Sequence, residues 1–310
     1  MKNYLLIISL TLFLFSCQED EKTEPTSPAS SFRISSMVEM NEGLASAKND
    51  FYYQDDLITE IKYYAYLQNS DDWHLIYNFS FEYNDDRIIA ISKDATGELF
   101  SKIESTVIDG RMHQQIIFSY QDNAWSKLQE SNYYFSGSMI DSSVSVSYSS
   151  DQFSLSLKRI YTYENEKPIL SHLYRSEKEG IWEFIKKSVY TYAEQTFEFI
   201  TYSYLNNELT EDWKEINTLN GEFITKKESY MFWEGEYWEL SNEKNYIYNE
   251  QNLLSELQYS STNDHSTTQF HYESGSGNYT WFLSPESVLN GHPTPQKKSS
   301  KHMAFPFTLP

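Results

Sequence analysis

Acidic side chains and histidines are the residues of this sequence that could carry catalysis or bind a metal ion. Neighbouring carboxylates can bind Ca²⁺ or act together on a glycosidic bond. The adjacent acidic pairs are Asp55-Asp56, Asp71-Asp72 and Asp85-Asp86. These pairs recur between alternating apolar and polar stretches, which predicts that they form turns. His265 and His271 are the closest histidines, and a zinc site would need a third ligand. We therefore expect no catalytic residue, no metal site and no cofactor.

Composition and charge exclude several classes of protein. The chain of 310 residues has a formal net charge of −21. An acidic surface repels phosphate backbones, so we expect no nucleic-acid partner. The single cysteine excludes a disulfide framework. Tyr, Phe and Trp make up 17% of the residues, which favours strands and argues against general disorder.

The first residues have the pattern of a secretory signal. Met1-Lys2 provides a positive start, and the apolar run over 4–15 is too short to span a bilayer as a helix. Leu14-Phe15-Ser16-Cys17 resembles a bacterial lipobox. The resemblance implies cleavage before Cys17 and attachment of a diacylglyceryl group to its thiol, which makes the membrane a partner. A plain signal peptide with an incidental cysteine is the alternative.

The residues after Cys17 are predicted to form a tether. The acidic run Gln18-Glu19-Asp20-Glu21 resembles the surface-export signal of lipoproteins from Bacteroidota-type bacteria. The resemblance implies a lipid-anchored outer-membrane protein on the cell surface, and the periplasmic leaflet of that membrane is the alternative. The predicted organisation is a signal peptide over 1–16, the lipidated cysteine and an acidic, proline-containing tether over 17–31, a repeat domain over 32–272, and a C-terminal cap with an irregular tail over 273–310.

An aromatic pattern recurs about every 28 residues along the repeat domain. A Trp or Phe is followed by an aromatic residue eight positions on and by another ten positions on. The matching sets are Trp73, Phe81 and Tyr83; Trp125, Tyr133 and Phe135; Phe153, Tyr161 and Tyr163; Trp182, Tyr190 and Tyr192; and Trp238, Tyr246 and Tyr248. Trp213, with Gly221 and Phe223, is a weaker match. A fixed period of this length is typical of a repeat architecture.

Each repeat is predicted to be a β-hairpin. The even offsets place the Trp and the two later aromatics on one face of an uninterrupted strand. A turn rich in Asn, Asp and Glu follows, and then a return strand. About eight hairpins give more strands than a flat sheet usually holds. We therefore expect an all-β antiparallel meander that curls into a shell, a barrel or two packed layers.

A lipid-facing outer-membrane barrel is the less favoured form of this fold. Polar residues recur in mid-strand on the predicted aromatic face, where a lipid-facing wall would need apolar residues. They are Lys127, Gln129, Ser131, Lys186, Ser188 and Lys244. A lipid anchor would also be redundant in such a barrel.

Two turn sequences resemble a known class of repeat. Tyr83-Asn84-Asp85-Asp86-Arg87-Ile88 and Tyr163-Glu164-Asn165-Glu166-Lys167 are similar to the tyrosine–aspartate repeats of Rhs-type shell proteins. They are more similar to the Tyr-x-Tyr-Asn hairpin repeats of secreted Bacteroidota proteins. The resemblance implies an antiparallel, strand-rich shell or curved sheet, and it carries over no catalytic residue.

The repeated aromatics are the residues through which this protein could bind a partner. We expect a surface-anchored, non-enzymatic repeat lipoprotein that binds a partner or supports the cell envelope. A carbohydrate-binding accessory lipoprotein is the alternative, because exposed Trp and Tyr rings stack on sugars, and a glycan-active hydrolase is the third hypothesis. The expected partner is a glycan or an envelope protein. Aromatics that project outward in a line or cleft would favour carbohydrate binding.

Overall fold

The structure is a computed structural model that describes residues 32–275, except 69, 150, 151, 179, 222, 234 and 235. The predicted signal peptide, the lipidated Cys17, the tether and nearly all of the predicted C-terminal cap and tail lie outside the described residues. The expectations for those segments therefore stay predictions.

Eighteen β-strands follow one another along the described residues. They are β1 (Phe32–Asn41), β2 (Leu44–Gln54), β3 (Leu57–Leu67), β4 (Asp72–Asn84), β5 (Arg87–Asp94), β6 (Leu99–Ile108), β7 (Arg111–Gln121), β8 (Ala124–Ser136), β9 (Met139–Ser149), β10 (Gln152–Glu164), β11 (Lys167–Lys178), β12 (Ile181–Tyr192), β13 (Thr196–Leu205), β14 (Glu208–Asn220), β15 (Phe223–Trp233), β16 (Tyr237–Tyr248), β17 (Leu254–Ser261) and β18 (His265–Ser274). Within this part of the chain, no helix is long and apolar enough to cross a bilayer.

The strands form one closed antiparallel meander. Each strand pairs with the next, and β1 pairs with β18 from Phe32 opposite Ser274 to Asn41 opposite Ser266. The predicted all-β hairpin meander is confirmed, and the sheet closes into a barrel. Eight of the pairs, from β2–β3 to β16–β17, are the predicted repeat hairpins, and β1 with β18 makes a ninth pair across the chain ends.

The barrel has two distinct ends. The turns that follow the even-numbered strands β2 to β16 lie at one end, which we call the tyrosine end. The chain also enters β1 and leaves β18 at this end, since β1 and β18 are antiparallel. The turns that follow the odd-numbered strands β1 to β17 lie at the other end, the tryptophan end.

Several hairpins turn through two residues that both have positive φ. The φ angles are 50° and 63° at Asn165-Glu166, 52° and 66° at Asn206-Asn207, and 51° and 61° at Asp122-Asn123. This conformation gives the hairpin a twist that matches its strands and usually selects Asn, Asp or Gly. The predicted role of Asn and Asp as turn residues is therefore confirmed.

The inner face of the wall is packed with the repeat aromatics near the tyrosine end. The first ring of each aromatic pair is at most 9% exposed in Phe81, Tyr133, Tyr161, Tyr190 and Tyr246. A small residue often stands directly opposite such a ring. Ala90 faces Phe81, Ser143 faces Tyr133, and Ser171 faces Tyr161. Large rings and small partners thus pack together on the inner face.

The second tyrosine of the repeat connects each hairpin to the preceding one. Its hydroxyl donates a hydrogen bond of 2.7–2.9 Å to a backbone carbonyl just after the preceding turn. The bonds run from Tyr53 to Ile34, Tyr83 to Ile58, Tyr163 to Ile140, Tyr192 to Pro168, Tyr248 to Ile224 and Tyr272 to Leu254. The bonds from Tyr53 and Tyr272 flank the β1–β18 pair, so this pair is connected to its two neighbouring hairpins by the same contact as the other repeats.

Three hairpins have no tyrosine hydroxyl at this position. Val107, Phe135 and Leu219 occupy it. At Val107 and Leu219 the backbone N–H donates instead, to the carbonyls of Asp86 at 2.7 Å and Gln195 at 2.8 Å. The contact between neighbouring hairpins therefore persists at these two sites without the side chain.

The predicted common face of the Trp and the two later aromatics is wrong. One extra residue lies in the strand three positions after each Trp, and this β-bulge reverses the side to which the preceding residues point. The bulge residues are Ile76, Leu128, Ile185 and Ser241. Ser154 acts in the same way after Phe153. Trp73, Trp125, Phe153, Trp182 and Trp238 therefore lie on the outer face.

The position assigned to Trp213 also needs correction. Trp213 pairs with Thr201 on the inner face, and Thr201 pairs in turn with Ser188 of β12, so Trp213 does not occupy the outward position of Trp182. The two aromatic positions of its hairpin are occupied by Asn217 and Leu219. β14 therefore departs from the repeat pattern, as β6 does with Ser105 and Val107 at the same two positions.

The polar mid-strand residues lie on a different side from the one assumed. Gln129, Ser131, Lys186, Ser188 and Lys244 line the inner face, and Lys127 lies outside because it precedes the bulge at Leu128. The argument from these residues against a lipid-facing wall was therefore wrong, since most of them do not face outward.

Candidate functional site

A band of outward rings surrounds much of the tryptophan end. We call these residues the aromatic belt: Tyr66, Trp73, Tyr120, Trp125, Tyr148, Phe153, Trp182, Phe184, Tyr204, Phe232 and Trp238. The bulges place the four Trp residues and Phe153 of the belt on the outer face, because each bulge turns one Trp or Phe of a repeat outward while the later aromatic pair stays inside.

Neighbouring belt rings pack in the same way in three separate repeats. The ring centroids lie 5.1 Å apart in Tyr66–Trp73, 4.9 Å apart in Tyr120–Trp125 and 4.9 Å apart in Phe232–Trp238. The rings are inclined at 64°, 59° and 51° respectively. Such inclined contacts between aromatic rings are favourable, so they fix the orientation of each Trp on the surface.

A lysine of the second strand before each of three Trp residues lies over the Trp ring. The Nζ of Lys48 is 5.4 Å from the ring centre of Trp73, that of Lys102 is 5.2 Å from Trp125, and that of Lys214 is 4.8 Å from Trp238. The same lysines lie over Tyr64, Phe118 and Tyr230 on the strand between. In these cation–π contacts, each lysine supports a belt ring from the side that faces the tyrosine end.

Part of the belt stays open to solvent. Trp182 and Phe153 are each 37% exposed and Tyr204 is 40% exposed. Every strand from β7 to β13 contributes an outward aromatic to this arc when Tyr174, which contacts Phe184 at 5.8 Å, is included. The arc therefore offers a continuous series of partly exposed rings.

The outer wall below the belt is charged. Lys48 pairs with Asp50 at 2.9 Å, and Lys102 pairs with Glu104 at 2.7 Å. Lys127 pairs with Glu130 at 2.8 Å. Hydrogen bonds from Lys127, opposed by desolvation and supported by Asn132 and Gln114, hold the pKa of the Glu130 carboxyl below its ordinary value. These ion pairs form a polar outer surface.

A cavity of about 260 Å³ lies on the inner face between β10 and β14. Its lining is Arg159, Ser171, Leu173, Lys186, Ser188, Phe199, Thr201, Trp213 and Glu215. Asp212 accepts hydrogen bonds from Lys186 at 2.6 Å and from Ser203 at 2.7 Å. The Trp213 Nε1–H donates to Glu215 at 3.1 Å. The cavity thus combines aromatic, hydroxyl and charged groups.

The sequence identified the aromatic residues of the repeat but missed the cavity. Asp55, Asp71 and Asp85 have φ between 43° and 53°, as turn residues do. Among the residues that the structure describes, no three His, Cys, Asp or Glu side chains lie close enough together to hold a metal ion. The sequence signal nearest to the cavity is Trp213, which matches the repeat only weakly and lines the cavity.

Comparisons with known proteins find solved structures with low TM-scores and low sequence identities. A Bacteroides fragilis protein of unknown function has 21% identity and a TM-score of 0.31, with 38% of this chain and 88% of that chain covered. A porin-like protein from Bacteroides uniformis has 12% identity and a TM-score of 0.40, with 80% and 99% covered. The TcdB2-TccC3 structure has 10% identity and a TM-score of 0.25, with 74% and 16% covered. No family model and no curated protein matches the chain. Likeness at this level carries no argument about function.

Proposed function

We propose that this protein is a non-enzymatic carbohydrate-binding lipoprotein of the bacterial envelope, whose aromatic belt binds a glycan chain. The observation that carries the proposal is the outward position of the belt rings, which recur from strand to strand around one end of the barrel.

Spacing supports a polymeric ligand. Neighbouring strands of a sheet lie about 4.8 Å apart, so rings on every second strand are about 10 Å apart. Trp125, Phe153 and Trp182 stand on alternate strands β8, β10 and β12. That interval is comparable to the length of a disaccharide unit, so successive rings can stack on successive units of one chain. Weak contacts that recur along a polymer add up to useful affinity.

The charged residues on the outer face support a barrel whose wall is in contact with water. Lysine at the middle of a lipid-facing strand costs roughly 2–4 kcal/mol. Lys48, Lys62 and Lys102 occupy the outer face of the wall together with their carboxylate partners. A lipid anchor at Cys17 is then the means of membrane attachment, and it is not redundant.

The anchor at Cys17 is tested separately from the belt. Fatty-acid labelling of the wild type and of Cys17→Ala tests the anchor: labelling of the wild type alone is expected, and equal labelling of both would remove the anchor.

Binding to the belt is tested by titrating the full-length protein with glycan oligomers of increasing length. Affinity should rise with length and should be unchanged by a chelator. The triple variant Trp125→Ala, Phe153→Ala and Trp182→Ala should lose most of it. Tyr134→Ala is the matched control, because Tyr134 is also an outward and exposed aromatic but lies near the tyrosine end of β8.

Three outcomes would contradict the proposal. Equal loss in the triple variant and in Tyr134→Ala would show that the belt has no special role. Binding of a protein rather than a glycan to the belt would replace the proposed partner class. Turnover of a glycan would show that the protein is an enzyme.

A further inference from the structure

The pairing of β16 with β17 stops short of the tryptophan end. It reaches only Asn242 opposite Ser261, the last residue of β17. The chain turns there, and the Ser261 N–H donates to the Asp264 carbonyl at 2.8 Å. Residues 237–241 of β16, which we call the β16 extension, therefore have no strand partner on this side among the residues that the structure describes.

The other side of the β16 extension is held in strand conformation by β15. The pairs run from Tyr230 opposite Leu240 to Trp233 opposite Tyr237. Alternate residues of an antiparallel strand direct their N–H and C=O groups to opposite sides, so the groups that β15 does not use point to the open side. An ordered strand with unpaired N–H and C=O groups is a template for pairing with another chain.

A second extension of this kind allows a comparison. Residues 72–76 of β4 extend beyond β5, whose last residue Asp94 pairs with Tyr77. The apolar side chains of the β4 extension are half-buried. In the β16 extension, by contrast, Tyr237 is 56% exposed and Leu240 is 44% exposed. The β16 extension therefore offers the larger apolar surface to a partner.

Both faces of the β16 extension carry apolar side chains. Tyr237 lies on the inner face beside Trp233, which is itself 44% exposed. Trp238 and Leu240 lie on the outer face. Exposed apolar groups that lie close together mark surfaces for interaction, and here a partner strand could place apolar side chains against either face.

The charge of the β16 extension indicates which partner fits. Glu236 and Glu239 are exposed, and in the described part of the chain no ion pair joins either of them to a cation. Antiparallel pairing of two copies of the extension about its centre would place Glu239 opposite Glu239, and like charges at that position are destabilising. A basic segment of another protein is therefore favoured over a second copy of this chain.

We propose that the β16 extension binds an extended basic segment of a partner protein, which adds a strand beside residues 237–241. Backbone hydrogen bonds would hold the segment, its apolar side chains would contact Tyr237 and Leu240, and its lysines or arginines would lie near Glu236 and Glu239. The interaction does not depend on glycan binding to the aromatic belt.

Calorimetry of the full-length protein with three short peptides tests the proposal. A peptide of alternating valine and lysine should bind. The same peptide with methylated backbone nitrogens should bind at least about tenfold more weakly, because it has lost its backbone donors. A peptide of alternating valine and glutamate should also bind at least about tenfold more weakly, because the carboxylates repel it. Equal binding of either control peptide, or no binding of the valine–lysine peptide, would overturn the proposal.

A matched pair of variants locates the binding on β16. Leu240 and Ile247 are both outward residues of this strand and are 44% and 42% exposed. Only Ile247 lies where β17 covers the strand, since it pairs with Glu256. Leu240→Lys should weaken binding of the valine–lysine peptide at least about tenfold, because it removes an apolar contact and adds a like charge. Ile247→Lys should leave binding unchanged. Equal effects, or no effect of Leu240→Lys, would contradict the assignment.

Hydrogen exchange of the wild-type protein gives a test that requires no variant. The bound valine–lysine peptide should slow amide exchange in residues 237–241 and leave residues 72–76 unchanged. Protection of 72–76 instead, or of neither segment, would contradict the site. The triple belt variant should still bind the peptide, and Leu240→Lys should still bind glycan oligomers. Failure of this proposal can therefore be distinguished from failure of the proposed function.

Discussion

The inner and outer faces of the barrel wall use the same aromatic residues for different purposes. Inside, the first ring of each aromatic pair is buried, and the second tyrosine of most repeats donates to the preceding hairpin. Outside, Trp73, Trp125 and Trp238 each pack on one aromatic neighbour and one lysine and keep part of their surface in solvent. One bulge residue in each strand separates the two arrangements. The comparison teaches that the burial of a repeated residue depends on local register as well as on its type.

Removal of a whole aromatic side chain should give the largest difference in stability between variants of the inner face and variants of the outer face. Tyr190 is 5% exposed and Trp182 is 37% exposed on the same strand. Tyr190→Ala should lower the free energy of unfolding by about 3–5 kcal/mol, because it leaves a cavity in the packed interior. Trp182→Ala should lower it by under about 1 kcal/mol. Chemical denaturation of both variants checks this, and similar losses would mean that the outer ring is also part of the core.

Removal of a single inner hydroxyl should have a smaller effect. Tyr83→Phe and Tyr163→Phe each abolish one bond to a backbone carbonyl. Each should cost about 1–2 kcal/mol, because the carbonyl loses its donor in a shielded place. The two sites are in different hairpins, so the loss of unfolding free energy in the double variant should equal the sum of the two single losses. Tyr134→Phe on the outer face serves as the control and should change stability by less than about 0.5 kcal/mol.

The inner tyrosines should also make the barrel sensitive to alkaline pH. Desolvation raises the pKa of Tyr248 to about 12, and burial likewise raises the pKa of Tyr163 and Tyr192. A raised folded-state pKa gives stability that is present below the unfolded pKa of about 10 and is lost as the pH rises toward the folded value. Tyrosinate absorbance should therefore appear for these residues only together with unfolding. Their ionisation near pH 10 in the folded barrel would refute the buried arrangement.

The outer ion pairs should give the smallest effect. Glu130→Gln should lower the free energy of unfolding by about 0.2–1 kcal/mol at neutral pH, as is usual for partly exposed pairs. The folded pKa of Glu130 is lowered, so its contribution is present above the unfolded pKa and disappears as the pH falls through the folded value. The free energies of unfolding of the wild type and the variant, measured by chemical denaturation at neutral and at acid pH, should become equal at acid pH. A difference that persists there would indicate a role in packing.

The sequence predicts the hairpins well because their signals are local. Alternating residues, Asn and Asp in turns such as Asn165-Glu166, and the fixed aromatic spacing all act within one repeat. The face of Trp182 was predicted wrongly because a bulge at Ile185 carries no distinctive residue. An Ile there is an ordinary strand residue.

Closure of the sheet and the inner cavity depend on contacts that are distant in the chain. The pairing of β1 with β18 joins residues more than 200 positions apart, as in the Arg33–Glu273 hydrogen bond, and no local pattern encodes it. Arg159 and Lys186 meet at the cavity only because β10 to β14 curve around it. Trp213 is a weaker match to the repeat in the sequence, but its inner position follows from the register of β14.

The β1–β18 pair has a consequence for how such a protein can change in evolution. A meander that closes on itself needs its last strand antiparallel to its first, so it must have an even number of strands. Duplication or loss can therefore proceed only by whole hairpins, and each added hairpin would widen the barrel. The closed sheet has no unpaired edge strand. If the start of β1 and the end of β18 were joined near the tyrosine end, a new chain start could be made at any surface turn.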